Sequence, residues 1–204
     1  QRGLLPEHPP TLEGFDIVVS HKPSQMVGGD YYDFIPLGPQ ALLLVIADVE
    51  GKGVASALVM ANLQATLRAL VVHLHSLERI VASVNDMILA DTRAQKYMSM
   101  FVGLLDQRNR TFHYINAGHV PPAVVRANGD HVFLREGGMV VGIFPGVVYE
   151  RGYGISDLHA MTTTHDPAAS TNATAPRSTV RASRRPRKNV TRTSGCAKSL
   201  RSPK

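Results

Sequence analysis

Apolar positions along the chain follow two different periods. A strand is predicted over 15–20, and 31–37 reads as a second short strand with partial alternation, after the turn Val27-Gly28-Gly29-Asp30. The run 42–47 is continuously Leu and β-branched, the pattern of a strand covered on both faces. It ends at Asp48, and Gly51-Lys52-Gly53 follows at once. The period then changes. Leu63, Leu67, Leu70 and Leu74 form one stripe, and Leu77, Val81, Val84 and Ile88 form another. Two amphipathic helices are therefore predicted, over 54–73 and 77–90, with Ser76 as N-cap of the second. Hairpin patterns come next. Segments 98–105 and 111–117 flank the polar turn 107–110, and 123–126 and 131–134 flank Asn128-Gly129, a strong two-residue turn signal. Strands, a helix pair, then hairpins give an α+β class with antiparallel sheet. No internal repeat is visible.

Composition divides the chain. Of its 204 residues, 22 are Lys or Arg and 16 Asp or Glu, a net charge of +6. Residues 1–150 hold 11 basic and 14 acidic side chains, whereas 151–204 hold 11 and 2. Large apolar residues number 61 in the first part and 7 in the second. So few cannot offset ordering entropy by burial. The expected organisation is an entry segment over 1–10 that ends a linker, a folded domain over 11–150, and a basic disordered or aberrant tail over 151–204. A polybasic tail binds polyanions at low salt, but the run Arg184-Arg185-Pro186-Arg187-Lys188 lacks interleaved aromatics, so no specific nucleic-acid role is expected. The longest apolar run, 41–47, is far short of the ~18 residues of a membrane helix, so no membrane segment is expected. Cys196 is the single cysteine, which points away from a disulfide framework and toward a cytoplasmic setting. The start at Gln1, without Met or leader, reads as a piece of a longer protein.

The chemistry concentrates on two aspartates. Asp30 follows two glycines, which let the backbone turn sharply and approach a ligand. Asp48 ends the most buried strand. A carboxylate there is costly to keep ionised without a compensating cation. A divalent metal would serve, with a nearby peptide carbonyl as a further oxygen ligand. The alternative is that both aspartates cap local turn N–H groups. Lys52-Gly53 breaks the Walker A pattern, and Ser56 breaks a dinucleotide fingerprint. Asn116-Ala117-Gly118-His119 closes a strand before Pro121-Pro122. It reads either as an ordered site loop, with His119 as acid, ligand or phosphate contact, or as a turn with unusual backbone angles. Gly51 and Gly53 join the candidate site loops. His73 and His75 point to different helix faces, and the sequons at Asn172 and Asn189 carry no weight without secretion.

Five motifs in order carry a resemblance: Leu4-Leu5-Pro6; Val27 through Phe34 (VGGDYYDF); Ala47 through Ala57 (ADVEGKGVASA); Asn116-Ala117-Gly118-His119 with Pro121-Pro122; and Gly142-Ile143-Phe144-Pro145. Over about residues 4–150 the chain resembles the stage II sporulation protein E / RsbU group of bacterial serine phosphatases, within the metal-dependent PPM superfamily. The resemblance implies an α-β-β-α sandwich of two antiparallel sheets flanked by helices, here incomplete at the C-terminus. It implies hydrolysis of a phosphoserine or phosphothreonine ester by a water bridging two Mn²⁺ or Mg²⁺ ions. By position, Asp48 matches the bridging aspartate, the Val49 carbonyl the backbone ligand, and Asp30 the acidic residue of the first motif. Asp33 matches no metal role and could orient the Asp30 loop. The implied partner is a phosphorylated STAS-type anti-anti-sigma factor in a partner-switching system, and an upstream helical linker implies a homodimer.

The family's next motif, a strand ending in Thr-Asp-Gly, and its last aspartate do not occur. Asp166 and Asp157 sit in the wrong setting to take those roles. The abrupt change after Glu150 suggests a shifted reading frame, which the other two frames of the coding DNA would reveal. Two functions stay open: a metal-dependent phosphatase, and a catalytically inactive phosphatase-like binding domain.

Overall fold

The computed structural model describes residues 1–12, 15–21, 27–109, 111–126, 128, 130–153, 158–164 and 178–184. Two five-stranded sheets face each other. The first runs in the order β2 (Asp30–Pro36), β3 (Ala41–Val49), β4 (Met98–Asp106), β5 (Thr111–Ala117), β8 (Gly137–Gly138). The second runs β1 (Phe15–His21), β10 (Ser178–Arg184), β9 (Leu158–Thr164), β6 (Ala123–Arg126), β7 (His131–Phe133). All neighbouring strands pair antiparallel except β5 and β8. The helices are α1 (Val54–His73) and α2 (Leu77–Thr92), close to their predicted limits. The Ser76 hydroxyl caps α2 by accepting from the Arg79 N–H at 3.3 Å.

The continuous apolar run behaves as its pattern predicts: Leu42 through Ala47 are all buried, because β3 has a layer on each side. One face meets the helices. There Tyr31, Val45, Val102 and Ile115 pack near Met60, Leu63 and Leu67 of α1 and Val81, Val84 and Ile88 of α2. The other face meets the second sheet. Phe101, Phe112 and Tyr114 stack there with centroids 5.7–6.4 Å apart. Gly103 makes room for them: a Cβ would lie 2.4 Å from Phe112 Cζ.

One expectation is corrected. Of the segment 151–204, expected to be a disordered or aberrant tail, 158–164 and 178–184 are not disordered: they form β9 and β10, which fill the second sheet between β1 and β6. Their own pattern is too weak to announce a strand; β1 and β6 provide the pairing partners. The rest of that segment, with the basic run 185–188, Cys196, both sequons, Asp157 and Asp166, lies outside the described residues. The expected sandwich of two sheets with helices is present; among the described residues α1 and α2 both bridge β3 to β4 and so lie on the first sheet's outer face. By length and mean hydropathy α1 is long and apolar enough to cross a membrane, although polar residues such as Gln64 and Arg68 interrupt it. Its buried Met60, Leu63 and Leu67, and its Arg68 bonded into the sheet, mark it as a core helix instead.

Candidate metal centre

Register brings the two predicted aspartates together. In the β2–β3 hairpin Asp30 lies directly opposite Asp48. Directly opposed residues share a face, with Cβ atoms about 4.5–5.5 Å apart. That face is the inter-sheet one, since Tyr32, two residues along β2, packs at a tilt against His21 of the second sheet, with ring centroids 5.6 Å apart. The sequence held a signal for this pairing: each aspartate is nine residues from Pro39 in the connecting turn.

The Gly28-Gly29 pair has a steric reason. Gly29 is buried, its carbonyl accepts from the Val49 N–H at 3.3 Å, and a Cβ there would lie 2.6 Å from the Val49 carbonyl oxygen. Only glycine lets this loop lie against Val49. Two carboxylates and a peptide carbonyl thus gather at one end of β2 and β3. Carboxylates and peptide carbonyls are hard oxygen donors of the kind that divalent cations prefer. Among the described residues no group of three His, Cys, Asp or Glu side chains gathers in metal-binding geometry.

The next loop is tied down. Gly51 (φ 93°) and Gly53 (φ 78°) adopt left-handed angles that favour glycine. The Glu50 carbonyl accepts from Ser56 Oγ at 3.0 Å and from Lys96 Nζ at 3.2 Å, and Lys96 also pairs with the Glu50 carboxylate at 2.9 Å. Lys96 and Glu50 were not singled out from the sequence, because 46 positions separate them.

Asn116 and His119 sit deep. The Asn116 side chain donates to the Leu134 carbonyl at 3.0 Å and accepts from the His119 N–H at 2.7 Å. His119 Nδ1 lies 2.9 Å from Ser99 Oγ, and Ser99 is opposite Asp48 on β4. The loop therefore joins the same end of the sheet, through a serine that no sequence signal flagged. His21 was also missed. Burial lowers its pKa, against the charge of Asp30. The remaining motif, Gly142-Ile143-Phe144-Pro145, is held by Asn85 of α2, which donates to the Phe144 carbonyl and accepts from the Gly142 N–H.

Asp33, expected to orient the Asp30 loop, does something else. It points to the helix face, fully buried, and takes a two-pronged bond from Arg68, both prongs at 2.9 Å. It also accepts from Tyr31 O–H at 2.7 Å and from the Phe34 N–H at 2.8 Å. Burial, and then the charge of Asp33, push the Tyr31 phenol far up.

Known proteins resemble this chain in sequence and fold. The chain is 28% identical over 145 residues to phosphoserine phosphatase RsbU of Bacillus subtilis, covering 70% of this chain and 43% of RsbU. It is 28% identical over 172 residues to protein IcfG of Synechocystis, covering 71% of this chain and 27% of IcfG. The chain thus spans less than half the length of these curated relatives. The crystal structure of the RsbU and RsbW domains of Rv1364c from Mycobacterium tuberculosis has the same fold, with a TM-score of 0.70 at 22% identity over 86% of this chain and 63% of that one. Residues 38–153, more than half of the chain and inclusive of Asp48, the glycine loop and His119, match the family model for stage II sporulation protein E, and the protein belongs to that SpoIIE family.

Proposed function

We propose that this chain is a metal-dependent protein phosphatase that hydrolyses a phosphoserine or phosphothreonine ester. The observation that carries the reading is Asp30 opposite Asp48, with the Val49 carbonyl against Gly29. Metal dependence is a property of the wider phosphatase superfamily. In this reading Asp30, Asp48 and the Val49 carbonyl hold Mn²⁺ or Mg²⁺, with two ions as the full complement. Such ions acidify a bound water and offset charge on a phosphoryl group in line with it. The chain's own residues bind and orient. Asp30 and Asp48 fix the cation, the Glu50–Lys96 tie fixes the loop that follows, and the Asn116 and His119 loop closes the adjacent edge. The proposed substrate is a phosphorylated STAS-type anti-anti-sigma factor. The RsbU and RsbW domains joined in one chain in the structural relative support a partner-switching role. A cytoplasmic location and dimerisation through an upstream linker belong to the same proposal.

A second reading, an inactive binding domain, has one observation in its favour: no third acidic or histidine ligand gathers at the pair among the described residues. One experiment separates the two. With Mn²⁺ and a phosphoserine protein, the full chain should release phosphate, and Asp48→Ala should lower the rate at least ~100-fold. Phosphate release that survives Asp48→Ala would sink the first reading. Cation uptake without turnover would favour the second.

A further inference from the structure

We infer, on the footing of the metal-dependent reading, that Ser99 and His119 act together as a positioning pair for the Asp48 carboxylate. Ser99 lies opposite Asp48 in the β3–β4 ladder, as Asp30 does on the other side. The three residues form a row across adjacent strands on the inter-sheet face. Opposed side chains in such a ladder have Cβ atoms about 4.5–5.5 Å apart, so the Ser99 hydroxyl is within reach of Asp48.

The far side of that hydroxyl is held. Ser99 Oγ is 2.9 Å from His119 Nδ1. His119 is only 5% exposed, too deep to serve as a surface group that grips a substrate. Its backbone is fixed in turn by Asn116, which is anchored to Leu134. The turn that returns His119 to β4 passes through Gly118 at φ 69°, where a Cβ would lie 2.4 Å from Val140 Cγ1. Asn116, Gly118 and His119 together seat the imidazole on Ser99.

Burying Asn116 and His119 beside the half-buried Ser99 is costly unless their bonds are made, and an apolar cluster would serve the core equally well. The chemistry of the chain gives the expense a use. With Nδ1–H donating to Ser99 Oγ, the serine proton is directed away from the ring, toward the neighbouring carboxylate. A carboxylate that accepts a fixed hydroxyl keeps one oxygen engaged and presents the other to a cation. Outer partners of this kind typically contribute 10–100-fold to metal affinity.

The test is Mn²⁺ titration of the full chain by calorimetry, with metal-free melting recorded in parallel. Ser99→Ala and His119→Ala should each weaken Mn²⁺ binding roughly tenfold or more. The double variant should be no weaker than the worse single, because both remove the same link. Ser99→Thr keeps the hydroxyl and should bind close to wild type. In a phosphatase assay, excess Mn²⁺ should restore kcat of Ser99→Ala, with substrate KM unchanged. Should His119→Ala fail to fold, Ser99→Ala removes the same link and leaves the loop intact. Wild-type uptake matched by both alanine variants would overturn this inference alone. No uptake by wild type would overturn the metal-dependent function along with it.

Discussion

Asp33 and Asp30 stand three residues apart on one strand, face opposite layers, and solve the problem of a carboxylate in a sheet in opposite ways. Asp33 on the helix face is enclosed by donors: a guanidinium fork, a phenol and a peptide N–H. Arg68 neutralises it, and its side chain, about half exposed, keeps its head partly in water. Asp30 on the inter-sheet face is set instead against a second carboxylate, Asp48. Like charges in register destabilise a ladder. The first arrangement spends its acid on holding α1 to β2. The second sets two like charges abreast at a strand end, where the proposed reading places a divalent cation.

Substitutions can break this contrast. Arg68→Ala should have the largest effect on stability, since it leaves Asp33 buried with its cation gone. A loss of about 2–3 kcal/mol is expected once the partial exposure of Arg68 is discounted, read by urea unfolding. Gly29→Ala comes next, at about 1–3 kcal/mol for the forced contact with Val49, and should weaken Mn²⁺ uptake as well. Equal Mn²⁺ affinity in Gly29→Ala would show that the close approach serves packing alone. Asp48→Asn should act in the opposite sense to Arg68→Ala. It removes one of two facing charges and should stabilise the metal-free protein by roughly 0.5 kcal/mol while abolishing uptake of the ion. A destabilised Asp48→Asn would place Asp48 with Asp33 as a structural acid.

The smallest effect concerns a buried phenol. Burial, with the charge of Asp86 adding to it, pushes Tyr149 up to about 12 from its usual 10. A group whose pKa is raised on folding contributes its stability below the unfolded value and loses it as pH rises through the folded one. Stability should therefore decline between about pH 10 and 12, and Tyr149→Phe should flatten that decline in alkaline unfolding curves. An unchanged slope would remove Tyr149 from the account.

Much of this was legible in sequence, for identifiable reasons. The 42–47 run and the two leucine-rich stripes declare β3, α1 and α2 because their burial is encoded locally. Asp30 and Asp48 stand out through their glycines and strand end, and the symmetry of the hairpin about Pro39 sets them abreast. Ser99 was invisible because two helices separate it from Asp48, so no local spacing links them. Asp33 was misread because the face it occupies depends on register, not on the motif around it. Strands β9 and β10 were illegible because their order comes from pairing with β1 and β6, while their own composition argues against strands.

That insertion has a bearing on biogenesis. During synthesis β1 leaves the ribosome long before the two strands that must slot between it and β6, so its ladder groups wait unsatisfied. Closure of the second sheet is a late, non-local event, and the nascent protein passes through a stage in which one wall of its sandwich is open to chaperones or to self-association.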